Sequence, residues 1–261
     1  MHLMKRKNVL SLLIISTFIF NACGRNLKRM EEGEAHFQAS KRLYSKGENI
    51  QAMSEAENAA QADNKNEEVQ NFLGLLYAER GDQEKAMVHF NKAIRLKPDY
   101  SEARNNLCAF LLQANRLDEA LEHCKKAVEN VTYATPERAY NNLGMIYDKK
   151  GDSAMAAQMH QKAILHNKKF VFSLLYLGKT SYEKKDFAKA KEYLQSADEA
   201  CLASPKGSWG ISCPESQYRL ALTHLQLKQT QEAVHAFQNC LASDANGEFK
   251  NKCEKSLQVY R

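Results

Sequence analysis

Between Glu67 and Tyr100, small and apolar residues fall on a fixed set of places in a 34-residue unit. Leu73, Gly74, Tyr77, Gly81, Ala86, Phe90, Ala93 and Pro98 stand at unit positions 7, 8, 11, 15, 20, 24, 27 and 32. Positions 7, 8 and 11 share one helical face, and so do 20, 24 and 27. Gly81 separates the two sets and Pro98 follows the second, so the pattern predicts a helical hairpin. The same phase recurs at 33–66 (Leu43, Gly47, Ala52, Ala59), 101–134 (Leu107, Cys108, Leu111, Ala120, Ala127) and 137–170 (Leu143, Gly144, Tyr147, Gly151, Ala156, Ala163). It recurs again at 171–204 (Leu177, Gly178, Ala190, Leu194, Ala197) and, after a nine-residue insertion, at 214–247 (Leu220, Ala221, Ala233, Phe237). No strand-type alternation interrupts it.

This is the tetratricopeptide (TPR) pattern, with Gln70 where the repeat usually carries Trp. Small residues at positions 8, 20 and 27 let the two helices approach closely, and large ones at 7, 11 and 24 fill the space between neighbours. The predicted fold is all-α, a right-handed superhelical solenoid of six TPR units over 33–261 with one concave and one convex face. Residues 248–261 are expected to form a capping helix over the last apolar face.

The N-terminus breaks from this pattern. Lys5, Arg6 and Lys7 precede an uncharged run from Val9 to Phe20 that ends at Asn21-Ala22-Cys23. A basic start and an apolar run of about a dozen residues has the layout of a secretory signal, too short to span a bilayer comfortably. Cys23 after Ala22 resembles a bacterial lipobox, which implies a signal peptide at 1–22, lipid on the Cys23 thiol and a short tether at 23–32. Gly24, where an Asp would retain the protein at the inner membrane, resembles an outer-membrane address. The formal charge of the whole chain is +6. Without residues 1–22 it keeps 34 basic and 31 acidic residues, and no basic block or nucleic-acid motif is left. Nucleic acid is not an expected partner.

Six further cysteines in an exported chain point to disulfides. In the repeat frame Cys108 and Cys124 face each other across one hairpin, where they would otherwise serve as core thiols. Cys201 and Cys213 flank the insertion, and Cys240 and Cys253 join the last repeat to the cap. Each pair closes a short loop between adjacent elements. No C-x-x-C or H-x-x-x-H spacing suggests a metal. The histidines share no face, and no nucleophile elbow, P-loop or dinucleotide fingerprint occurs, so neither catalysis nor a cofactor is expected.

A partner is therefore expected in the concave groove, at positions 2, 5, 9 and 12 of each first helix. Asn71, Asn105 and Asn141 stack at position 5 and could bond a ligand's main chain. Phe37, Tyr44, Leu75, Leu112 and Met145 offer apolar surface beside them. An amphipathic helix or extended apolar segment suits that lining better than an acidic tail, which would need stacked Lys or Arg.

Asn105-Asn106-Leu107-Cys108-Ala109-Phe110-Leu111 resembles the N-N-x-G-x-F-L run of the type IV pilus pilotins of the PilF/PilW/Tgl family. So does Tyr133-Ala134-Thr135-Pro136-Glu137-Arg138 ahead of Asn142-Leu143-Gly144, with its two extra residues between repeats. The cysteines from 201 to 253 look most like the Tgl branch. This resemblance implies a non-catalytic, monomeric scaffold, lipid-anchored on the periplasmic face of the outer membrane, that binds a secretin protomer and promotes its assembly. The same fold and address would also suit an adaptor that recruits peptidoglycan hydrolases or other envelope-assembly proteins.

Overall fold

The computed structural model describes residues 27–203, 213–243 and 247–260. Among these there are thirteen helices and no strand. Helix α1 covers 27–45, followed by α2 (Asn49–Ala62), α3 (Glu67–Glu79), α4 (Gln83–Leu96), α5 (Ser101–Gln113) and α6 (Leu117–Glu129). Then come α7 (Pro136–Lys149), α8 (Ser153–His166), α9 (Val171–Glu183), α10 (Phe187–Leu202), α11 (Cys213–Gln226), α12 (Thr230–Ser243) and α13 (Glu248–Tyr260). Odd and even helices up to α12 are the first and second helices of the six expected repeats, and α13 is the cap.

The hairpin turns share one backbone device. Gly47, Gly81, Asn115, Gly151, Lys185 and Lys228 all stand at unit position 15, and all have a positive φ, between 57° and 83°. Three repeats place glycine there, the residue for which this region carries no Cβ penalty. Asp82, Asp152 and Asp186 then cap the helices that follow, accepting from the amides of Lys85, Met155 and Lys189.

The chain divides into two compact units, Met1–Phe110 and Leu111–Arg261. In the first, Phe90 lies directly over Gly74, where a Cβ would come within 2.5 Å of its ring, so only glycine allows this approach. Ser40 Oγ donates to the Ala52 carbonyl at 2.6 Å and His36 meets Glu55 at 2.6 Å, joining α1 to α2. Residues 27–32, expected as tether, are already helical. Nothing from Leu27 to Glu32 breaks a helix, and Gly33 is buried beside Ala59 within the same run. Cys23 and the expected signal peptide lie outside the described residues.

The second unit repeats the close approach with different pairs. Leu194 covers Gly178 and His160 covers Gly144. Its far end is a small core of Ala221, Phe237, Cys240, Cys253 and Leu257, closed by α13. Cys240 and Cys253 are joined by a disulfide with a Cα–Cα distance of 6.5 Å. Cys108, Cys124 and Cys201 are also disulfide-bonded. The insertion from 204 to 212 and the Cys213 side chain lie outside the described residues.

Candidate partner-binding surface

In the first unit, the expected groove residues divide by depth. Asn71 and Asn105 are buried at position 5 of α3 and α5, and so is Phe37 at position 5 of α1. Asn71 does not face out toward a ligand. Its Oδ1 accepts from Asn106 Nδ2 at 3.1 Å, and Tyr100 also bonds its side chain. Phe37 packs edge-on against Phe72 at 5.8 Å, with the Lys41 ammonium 4.3 Å above its ring. Tyr44 and Leu75 remain half-exposed. Tyr44 crosses from α1 to hydrogen-bond Glu79, and burial beside that carboxylate pushes its phenol up to about 12.

In the second unit, Leu112 and Asn141 are buried and Met145 is exposed. Asn141 Nδ2 donates to Met145 Sδ at 3.5 Å, and its Oδ1 accepts from Ser173 Oγ at 3.3 Å. Asn71 and Asn141 therefore tie their repeats to the ones that follow, where a ligand-binding role was expected. An amide buried at such a seam must be satisfied from within, and the neighbouring repeat supplies the partner.

Met145 and Phe172 are the large apolar side chains that the first helices of this unit leave open, at 43% and 41% exposure. Phe172 was absent from the expected set although position 2 belongs to the groove. The signal was available: the corresponding residues are Glu34, Glu68, Glu102, Arg138 and Glu215, so an aromatic at this place is out of character. The surface thus offers polarizable and aromatic contacts flanked by Lys179, with no cluster of cations to clamp a carboxylate. Met suits a partner of irregular shape, because its side chain repacks easily.

Beneath this surface runs a polar chain that sequence reasoning missed. His160 is almost fully buried, with Nδ1 3.0 Å from Ser173 Oγ and its ring stacked 4.0 Å from that of Tyr176. Tyr176 donates to Asp148 at 2.8 Å. Desolvation lowers the His160 pKa to about 4, so the imidazole is neutral. Its Nε2 is buried without a hydrogen-bond partner. The warning was a histidine at position 24, where Phe90, Leu194 and Phe237 stand in other repeats.

Among the described residues no three His, Cys, Asp or Glu side chains converge in a way that could hold a metal. No described helix is long and apolar enough to cross a membrane.

Profiles described as Tetratricopeptide repeat match residues 99–164, 172–198 and 214–246, and one described as TPR repeat matches 74–109. The chain is 38% identical over 90 residues to the Protein STIP1 homolog of Dictyostelium discoideum, covering 33% of this chain and 16% of that protein. It is 22% identical over 155 residues to the type IV pilus assembly protein PilF of Pseudomonas aeruginosa, covering 46% of this chain and 62% of PilF. The matches thus span less than two thirds of these curated relatives. In structure it resembles PilF with a TM-score of 0.74 and 16% identity, over 88% of this chain and 99% of that one. Its likeness to PilW, a type IV pilus biogenesis factor, has a TM-score of 0.69 and 21% identity, over 84% and 97%. The fold is that of a tetratricopeptide-repeat protein, shared with these pilus factors along most of its length.

Proposed function

We propose that this chain is a non-catalytic scaffold for type IV pilus assembly: a lipoprotein anchored through Cys23 to the periplasmic face of the outer membrane. In that role it acts as a pilotin, binding a secretin protomer and raising its concentration at the membrane where the ring is built. The observation that carries this reading is the agreement of fold with PilF over almost the whole of both chains. The pilotin-like runs at Asn105–Leu111 and Tyr133–Gly144 support it from the sequence side.

Apolar segments of the partner lie against the open side chains of the first helices, and each unit offers a surface of its own: Tyr44 and Leu75 in the first, Met145 and Phe172 in the second. Asn71 and Asn141 hold these surfaces in place from below. A secretin protomer titrated onto the purified chain provides the test. Leu75→Ser with Met145→Ser should weaken binding roughly tenfold or more by removing two apolar contacts, with helix content unchanged. Unchanged affinity would move the binding surface elsewhere, and absence of binding to the unmodified chain would exclude the secretin as the partner.

A further inference from the structure

The charge of this protein is concentrated in one stretch. Residues 149–191 hold ten lysines, no arginine and three carboxylates. The flanking stretches are net acidic: 23–148 has 17 basic against 20 acidic residues, and 192–261 has 7 against 8. Much of this positive charge sits at hairpin turns. The turns that end α7, α9 and α11 succeed one another in the second unit, and helices of alternating direction put them on one edge.

Lys149, Lys184, Lys185 and Lys228 stand at those turns, exposed and outside any ion pair among the described residues. Most carboxylates of the same edge are occupied, with Glu232 in the first turn of α12 left exposed. Asp118 pairs with Lys150 at 2.6 Å, Glu183 with Lys179 at 3.9 Å, and Asp148 accepts from Tyr176. Asp152 and Asp186 cap α8 and α10. The backbone supplies a second observation. Lys185 and Lys228 have φ of 62° and 60°, at the position where three repeats use glycine. A lysine in that conformation costs stability, so its charge stands where the backbone alone favours another residue.

We infer that this edge of the second unit rests on an anionic bilayer surface, a second membrane contact beside the lipid. The inference builds on the envelope location proposed above. Lysine is a compact, strongly hydrated point charge suited to a diffuse layer of headgroups, whereas recognition of individual carboxylates by a protein partner favours the planar fork of arginine. One lipid anchor combined with a polybasic patch holds a protein to a membrane far better than either does alone.

The test uses the chain from residue 23 with Cys23→Ser, so that no lipid contributes, and vesicles of phosphatidylcholine with or without 30% phosphatidylglycerol (about that fraction gives a strongly negative surface). The protein should sediment with the anionic vesicles at low salt, stay free of the neutral ones, and be released as salt screens the attraction. Removing four lysine charges by Lys149→Gln, Lys184→Gln, Lys185→Asn and Lys228→Asn should weaken binding at least roughly tenfold. Asparagine is chosen at 185 and 228 because it tolerates the left-handed backbone. A control with Lys125, Lys168, Lys169 and Lys255 changed to Gln loses the same charge away from these turns and should bind within about twofold of the parent. Failure of the parent to bind anionic vesicles overturns the inference, as does equal loss in the control. A partner protein that needs these lysines while vesicles are ignored would overturn it too, assigning the edge to an acidic protein. No secretin enters the assay, so its outcome is independent of the pilus reading.

Discussion

His160 shows how one residue can answer a packing problem with a chemical cost. Position 24 must lie flat on the glycine at position 8, and an aromatic ring does this well, as Phe90 does over Gly74. An imidazole has the right shape and gains a bond to Ser173, but it buries Nε2 without a partner. Its lowered pKa has a consequence for stability. The folded protein holds a neutral imidazole down to about pH 4, whereas the unfolded chain takes up a proton near 6.5. Stability from this site is therefore complete above pH 6.5 and is lost as pH falls from 6.5 to about 4, by up to about 3 kcal/mol. Denaturant unfolding at pH 7 and pH 4.5 should show that slope, and His160→Phe should flatten it. An unchanged slope in the variant would assign the acid sensitivity to other groups. The sequence marked His160 as an oddity of register. Its contacts with Ser173 and Tyr176 were not legible, because a polar seam is set by three-dimensional neighbours and leaves no periodic signal.

At the scale of helices, the 34-residue period was enough to locate every described hairpin, since it records directly which face each helix buries. The ends were harder to read. Residues 27–32 extend α1, and no breaker in the sequence would have told tether from helix. The cap α13 was legible as an amphipathic segment, yet only Cys253 and Leu257 among its described residues are buried. So small an apolar contact leaves much of its hold to the Cys240–Cys253 bridge. Replacing both cysteines by serine should cost about 3 kcal/mol, as expected for a short closed loop. Amide exchange should rise first in α13, before the rest of the chain opens. Exchange in α13 that stays at the parent level would show that its packing suffices without the bridge.

For the whole molecule, the helical register assigned positions 2, 5, 9 and 12 to each first helix, but it could not tell how deep each side chain lies. Asn71, Asn105 and Asn141 are buried between repeats, while Met145 and Phe172 stay open. The difference arises because adjacent repeats cover position 5 from the side, and the small Ser173 at the next repeat lets Asn141 close the gap. Large apolar side chains are open on first helices at Met145 and Phe172 and on second helices at Ile50, Val88 and Leu165, so exposure alone does not single out one face. Such a surface achieves little in dilute solution and much more when it and its partner share a membrane.

The pilotin role stands or falls on the amount of assembled secretin in cells that lack the protein. Secretin multimers should drop at least roughly tenfold while the monomer persists. They should return with the unmodified chain and stay low with the Leu75→Ser, Met145→Ser form. Multimers at the normal level without the protein would rule that role out.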